Sequence, residues 1–407
     1  TTDSLSTDRD KLLSYATRGR KRRKCASGET KAMLPSVIDG QVGPSWHQAA
    51  VRSPTVPSEA FEVTPLFNLP EKNRACRKTP NAPFKILDAE NLADDFYSHL
   101  MHWASSGLLC VGLGKNVFLS TMDHAQPTFL CDMEAEVTAV RAAADGRRFA
   151  ISTDTGITML YDGETGRCLH HLPDHDFGTN AIAWCGPNLL SISSEEGAIR
   201  KYDLRDPARL STLKEHSGMV CGLQWSHDET LLASGGDDNK ICVWDVRSNV
   251  PQQVLTGHTA AVRGLAWSPH KRHLLASGGG QGDGKIMQWN LPLSRLESTT
   301  CTNTQISTLI WSVHDKELVS LHTADTEHPD ICVWEYPSMK MAGSITTEYR
   351  VDDMALSPDG NSVVVSSTDR QLLSVWRIFS GPSKPSKPSK PSNSLVTFTP
   401  FNRFVIR

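Results

Sequence analysis

Short apolar strands alternate with turn-forming Ser-Pro, Asp-Gly and Gly-Gly steps along most of this chain. Four of those strands close on nearly the same phrase: ICVWD at Trp244, IMQWN at Trp289, ICVWE at Trp334 and LSVWR at Trp376. The spacings are 45, 45 and 42 residues (289−244, 334−289, 376−334). Counting back finds Tyr202 in IRKYD, 42 earlier (244−202), Tyr161 in ITMLYD, 41 before that (202−161), and Leu119 in an apolar run, a further 42 back (161−119). A period of about 40–45 residues, with strand-length alternation inside it, is the pattern of a four-stranded propeller blade. Seven such positions predict an all-β chain of seven blades.

The fourth and fifth repeats are the clearest. His216-Ser-Gly, Leu231-Leu-Ala-Ser-Gly-Gly236, Asp237-Asp-Asn239 and Trp244 of one are matched by Gly257-His258, Leu274-Leu-Ala-Ser-Gly-Gly279, Asp283 and Trp289 of the next. His216, Ser234 and Asp238 look like a catalytic set until His258, Ser277 and Asp283 recur in the same order one repeat later. A reacting site is not normally repeated around a ring, whereas a network that satisfies buried polar groups is. No catalytic residue is therefore predicted. Gly278–Gly284 is glycine-rich but has neither a following helix nor the Gly-Lys-Ser/Thr of a phosphate loop. Cys168, His170, His171 and His175 have metal-like spacing. A metal-dependent enzyme built on them is the remote alternative; the expectation is no metal and no cofactor.

The chain has 407 residues, 39% hydrophobic and 21% charged, as suits a globular protein rather than a disordered one. No run of about 18 apolar residues is present, so no membrane span is predicted. Ten scattered cysteines without a CxxC pair read as free thiols in a reducing compartment. The first 80 residues hold 14 Lys and Arg against 8 Asp and Glu, and the remainder 28 against 37: a basic arm on an acidic body. Three regions are predicted. Residues 1–80 are a disordered regulatory arm with a basic cluster from Arg18 to Lys24, read as a nuclear address or a solvated run, and with Ser/Thr-Pro steps at Ser53, Thr64 and Thr79. Residues 81–380 are the propeller. Residues 381–407 are a flexible Pro-Ser-Lys spacer with an apolar, cationic tip. The first residue is Thr, so the natural start is expected upstream.

Further phrases go beyond a generic repeat. They are Pro83-Phe-Lys-Ile-Leu-Asp-Ala89 with Asp94-Asp-Phe-Tyr97, Val111-Gly-Leu-Gly114, Ala261-Val-Arg-Gly-Leu-Ala-Trp267-Ser-Pro-His270, Val333-Trp-Glu-Tyr-Pro-Ser338 and Tyr349-Arg-Val351. Together they resemble the Fizzy and Fizzy-related family of WD40 proteins, activators and substrate receptors of the anaphase-promoting complex, a ubiquitin ligase. The likeness covers residues 78–379, resumes at Ile406-Arg407, and leans toward the Fizzy-related branch.

The resemblance implies a seven-bladed WD40 propeller that captures degron peptides and controls cell-cycle progression, mitotic or meiotic. The implied partners are ligase subunits, degron-bearing substrates such as cyclins, and checkpoint inhibitors, with no nucleic acid and no membrane. The implied location is nucleus and cytoplasm. For a Lys-Glu-Asn box it implies Asp95 at the lysine, Arg350 at the glutamate, and Asn239 and Gln305 at the asparagine and backbone. Asp237 stands where the family has Asn, and Gln281 where it has Thr; Asp237, which loses an amide donor and adds negative charge, is expected to lower affinity. For a destruction box it implies Leu87 and Asp88, with Asp369 nearest the family's second acid. Here the phrase is Asp369-Arg-Gln-Leu372, one residue longer, and its Arg should repel the box's own Arg. At the N-terminus only Asp8-Arg9-Asp10 matches the family's docking box, which is either upstream or lost. Ile406 and Arg407 match its C-terminal docking pair. The alternative from another class is a WD40 scaffold that binds partners without activating the ligase.

Overall fold

In every repeat the third strand carries the periodic residue and buries it. Trp244, Trp289, Trp334, Trp376, Tyr202, Tyr161 and Leu119 are all at most 8% exposed. The computed structural model describes residues 79–122, 126–172, 175, 177–323 and 329–379, with the backbone alone for 207–210 and 403–406. The expectations for the arm through Lys78, for the spacer and for Arg407 lie outside the described residues. The strands assemble into seven antiparallel sheets, each with its first strand innermost, so the predicted seven-bladed propeller is the fold. Blade 4 shows the plan: Val220–Trp225, Leu231–Gly236, Lys240–Asp245 and Pro251–Thr256 lie in order from the axis outward. Among the described residues there is no α-helix, only a 3-10 turn at Leu291–Leu293.

One strand is out of sequence order. Lys85–Ala89, the first strand, pairs antiparallel with Leu372–Trp376 as an outer strand of blade 7. The register sets Leu87 opposite Leu373 and Asp88 opposite Leu372. The ring thus closes by hydrogen bonds between its two chain ends. Arg403–Ile406 adds a fifth strand, parallel to Lys85–Ala89, with Asp88 opposite Val405 and Ala89 opposite Ile406.

The apolar core lies between blades. Ala233, Ile241 and Val243 of blade 4, for example, pack on Val262, Trp267, Leu275 and Trp289 of blade 5. Burying both faces of a sheet requires a neighbour on each side, which is why single blades do not stand alone. Close approach at the rim depends on glycine at two turns. Gly156 and Gly197 sit at φ +88° and +85°, and a Cβ there would meet the carbonyl of His175 at 2.3 Å and that of His216 at 2.6 Å.

Polar side chains fasten the blades from inside. In blade 4 the His216 ring meets Asp238 at 3.0 Å and Ser234 at 2.8 Å, and the Trp244 indole donates to the same Ser234 oxygen at 2.9 Å. Blade 5 repeats this with His258, Asp283, Ser277 and Trp289 at 2.6, 2.7 and 2.8 Å. Blade 6 keeps the chemistry but moves the histidine: His322, at the end of its second strand, bridges Thr304 and Ser320, and Trp334 donates to Ser320. Burial disfavours charge on Asp238 and Asp283, but the hydrogen bonds from His216 and His258 outweigh it and hold both carboxyls below their usual range. These groups are consumed in structure, as the recurrence in the sequence predicted.

A second clasp crosses the axis. Arg263 of blade 5 is 2% exposed and reaches Asp353 beside blade 7 at 3.2 Å, the carbonyl of Ser307 in blade 6 at 2.8 Å, and that of Ser98 before blade 1 at 2.7 Å. The His99 ring meets the Cys221 carbonyl of blade 4 at 3.1 Å. Burial opposes charge on Asp353, yet Arg263 and His99 hold it well below the carboxylate range.

Two outcomes are expected. Ser277→Ala leaves the buried Trp289 N–H and His258 Nε2 without their common partner and should lower unfolding free energy by about 2–4 kcal/mol. Ser374→Ala strands the Trp376 N–H, 2.9 Å from the Ser374 oxygen, with no histidine sharing that oxygen among the described residues, and should lower it by about 1–2 kcal/mol; urea denaturation of both variants tests the difference. Burial is the first cause that holds His99, His102 and His258 below the ordinary histidine range. Burial and the charge of Arg200 push His175 down to about 3. Below about pH 6.5 the unfolded chain therefore binds more protons than the folded one, so stability is full above that pH and falls beneath it. The urea midpoint should decline steadily from pH 7 to pH 5; a flat midpoint would mean that these histidines charge inside the folded ring.

Candidate peptide-binding face

Antiparallel blades sort their connections by end. The chain enters each blade at the innermost strand, so the segment leading into that strand and the turn joining the second and third strands lie at the same end of the ring. Asp95, Gln305 and Arg350 are on lead-in segments, before Met101–Trp103, Ile306–Trp311 and Met354–Leu356. Asp237, Asn239, Gln281 and Asp369 are on second-to-third-strand turns of blades 4, 5 and 7. Asp88 is near the end of Lys85–Ala89 from which the chain runs into blade 1. Topology thus gathers residues from across the sequence onto one end.

Arg350 is the charged centre of that end. Its guanidinium is 3.2 Å from Asp94 and 2.9 Å from Asp352, and its side chain is 41% exposed. The two acids are held differently. Asp352 accepts from the Thr368 backbone N–H at 2.8 Å and its hydroxyl at 2.7 Å, which fixes it to the blade 7 turn. Asp94 is 65% exposed and is the looser partner. Neither acid was singled out from the sequence, where the only signal is adjacency: Asp94 to Asp95, and Asp352 two residues after Arg350.

Asp95 is exposed, and its carboxylate accepts from the Tyr97 N–H at 3.1 Å and the Ser98 hydroxyl at 2.8 Å, closing a local turn. Beside it the Phe96 ring lies over the Arg263 guanidinium at 5.3 Å. Asn239 adopts φ +65°, a left-handed conformation that Asn tolerates better than most residues. No hydrogen bond to its side-chain amide is seen among the described residues. Gln281 is exposed on the Gly280–Gly284 turn, and Gln305 is half-buried. Asp237 folds over Gly218, where a Cβ would meet its Oδ1 at 1.9 Å. Partial burial there, then the Asp238 charge, raise the Asp237 carboxyl above its ordinary range.

The destruction-box residues fall out differently. Leu87 is 3% exposed and belongs to the core with Leu373 and Val375, so it backs the surface rather than forming it. Asp369 is exposed and accepts from the Ser367 hydroxyl at 2.5 Å, turned toward its own strand. The extra residue of this phrase is absorbed at Gln371, φ +52°. The Gln371 side-chain amide accepts from the Leu92 N–H at 2.9 Å and donates to the Leu92 carbonyl at 3.0 Å, while its backbone carbonyl accepts from the Ala89 N–H at 2.7 Å. Arg370 is left exposed at the tip. The terminal strand Arg403–Ile406 runs beside Lys85–Ala89, along the strand that bears Leu87 and Asp88.

Cys168, His170 and His171 lie on the outer strand Cys168–Leu172 of blade 2, where alternation sends His170 and His171 to opposite faces. Buried His175 packs against Tyr202. Among the described residues no group of three or more His, Cys, Asp or Glu is placed to hold a metal ion, and no helix is long and apolar enough to cross a membrane.

Comparison with known proteins gives a consistent picture. The model of the CDC20/Fizzy WD40 domain matches residues 87–376. The chain is 38% identical over 313 residues to Protein FIZZY-RELATED 2 of Arabidopsis thaliana, covering 76% of this chain and 64% of that protein. It is 34% identical over 329 residues to APC/C activator protein CDH1 of Saccharomyces cerevisiae, covering 80% of this chain and 56% of that protein. The chain thus spans less than two thirds of the length of these relatives. A chain in the crystal structure of the mitotic checkpoint complex superposes with TM-score 0.71 at 32% identity, covering 80% of this chain and 99% of that one.

Proposed function

The chain belongs to the CDC20/Fizzy family of WD40 proteins, a family of non-catalytic receptors, and from that premise we propose that it is a co-activator and substrate receptor of the anaphase-promoting complex. The observation that carries the reading is the gathering of Asp95, Asn239, Gln305 and Arg350 at one end of the ring, around an exposed guanidinium whose looser partner is displaceable. A Lys-Glu-Asn box fits that chemistry. Its lysine would meet the acid at Asp95, its glutamate would replace Asp94 on Arg350, and its amide would exchange hydrogen bonds with Asn239 and Gln305. Asp352 stays in place and keeps Arg350 oriented. Destruction-box capture is the weaker part of the proposal, since Leu87 is buried and exposed Arg370 stands where the ligand's own arginine would lie.

Docking on the ligase is proposed for Ile406 and Arg407. The terminal strand beside Lys85–Ala89 would have to leave that edge to reach a second protein. Checkpoint inhibitors are proposed as further partners on the likeness to the checkpoint-complex chain. The scaffold reading rests on the same departures, Asp237, Gln281 and Arg370, taken as loss rather than retuning.

Two experiments separate these readings. Arg350→Ala should weaken a Lys-Glu-Asn peptide by about tenfold to a hundredfold, whereas Asp94→Asn should leave affinity unchanged or raise it by releasing Arg350. Calorimetry with the peptide measures both, and absence of binding to the parent protein favours the scaffold. Deleting Ile406-Arg407 should sharply reduce co-purification with the ligase while leaving peptide affinity intact; undiminished co-purification would refute tail docking.

A further inference from the structure

The axial channel holds a charge that the contacts described above leave unanswered. Inner strands and lead-in segments of all seven blades enclose a cavity of about 250 Å3. Its ionisable lining is His99, His102, Arg141, His227, Arg263 and Asp353. Two of these are permanent cations and one is a carboxylate. Asp353 is already engaged by Arg263 at 3.2 Å and by the Thr308 hydroxyl at 2.8 Å. Arg141, on the inner strand of blade 2, makes no side-chain hydrogen bond or ion pair among the described residues. Burial disfavours the Arg141 charge and Asp353 favours it without touching it, so the guanidinium's donors stay without a direct partner.

Other unmet polar groups line the same cavity. The His102 Nδ1 accepts from the Ala142 backbone N–H at 3.2 Å, which in the neutral ring assigns the proton to Nε2. That second nitrogen has no protein partner among the described residues. Arg263 spends its terminal nitrogens on Ser307, Thr308, Ser98 and Asp353, leaving a buried Nε without a hydrogen bond. The Gln224 amide oxygen is likewise buried and unpartnered. Burial first, then the charge of Arg141, depresses the His102 ring, which places the two side chains in one field.

We infer that the channel is a binding site for a small oxyanion, of the phosphate or carboxylate class, held by the Arg141 guanidinium and the Nε2–H of His102. A planar guanidinium fork matches paired oxygens better than it matches a spherical ion. The Gln224 oxygen, an acceptor in a site otherwise made of donors, suits the hydroxyl of monohydrogen phosphate. Asp353 opposes the anion, but Arg263 already neutralises it. Access is from the end away from the peptide face. The segment carrying Phe96 crosses above Arg263 at one end, while His227, Pro269 and exposed Val313 rim the other. The site is thus independent of degron capture and lies next to the clasp that joins the blades.

The test is titration of the full chain with inorganic phosphate at pH 7, in a buffer free of phosphate and carboxylate, by calorimetry and thermal melting. Saturable one-to-one binding with a rise in melting temperature is expected. Arg141→Met should weaken it by about tenfold or more while keeping a cooperative melt without anion. A parallel acetate titration decides the class: preference for phosphate supports the role assigned to Gln224, preference for acetate assigns the site to carboxylates, and equal binding removes the role of Gln224. Absence of saturable binding of either anion to the parent below about 10 mM overturns the inference, as does unchanged affinity in Arg141→Met. Should Arg141→Met not fold, the parent titration with His102→Gln decides alone, because loss of the ring's donor geometry must weaken a genuine site and leave a diffuse one untouched.

Discussion

Ring closure is the constraint on which the rest of this structure depends. Seven sheets radiating from an axis have no stable open form, because each apolar face needs a neighbour and an open ring leaves two faces wet. Pairing Lys85–Ala89 with Leu372–Trp376 makes the last blade a joint product of both chain ends. That pairing also brings Asp94, just beyond the first strand, within 3.2 Å of Arg350. It sets Gln371 against Leu92 and Ala89 as well. The charged centre of the candidate face is therefore a by-product of the closure.

Below that face, the Arg263 clasp ties four blades to one guanidinium. Its low exposure separates it from Arg350, whose ion pairs are open to solvent and so individually weak. The two arginines divide the labour by burial. Arg263, desolvated and bonded to the carbonyls of Ser98 and Ser307 and to the Asp353 carboxylate, is structural. Arg350, with one anchored carboxylate and one loose one, keeps capacity for a ligand. Arg141 fits neither description, since it is partly buried and makes no direct ion pair or side-chain hydrogen bond among the described residues.

Much of this was legible from the chain. The Trp, Tyr and Leu period marked the seven buried positions without exception, because each third strand must seat one large residue against the next blade. The repeated His–Ser–Asp–Trp order correctly read as a network rather than as chemistry. Blade 6 departs because His322 occupies a strand position, which no spacing from Trp334 announces. The assignment of Lys85–Ala89 to the seventh blade was not legible, since a strand's own alternation is the same whichever sheet it joins. Nor was the burial of Leu87, which a family contact list suggests is available and which the register opposite Leu373 places in the core.

By itself, then, the sequence determined the number of blades, the identity of their buried anchors and the residue types that resemblance assigns to the peptide face, because all three are encoded by local periodicity or by short phrases. Tertiary structure alone decided which strand completes the ring, that Asp94 and Asp352 share Arg350, that Gln371 absorbs the extra residue of the last repeat, and that Arg141 lines the axial channel without a direct partner among the described residues. Those outcomes depend on distances between segments far apart in the chain, and such distances exist only once the ring has closed.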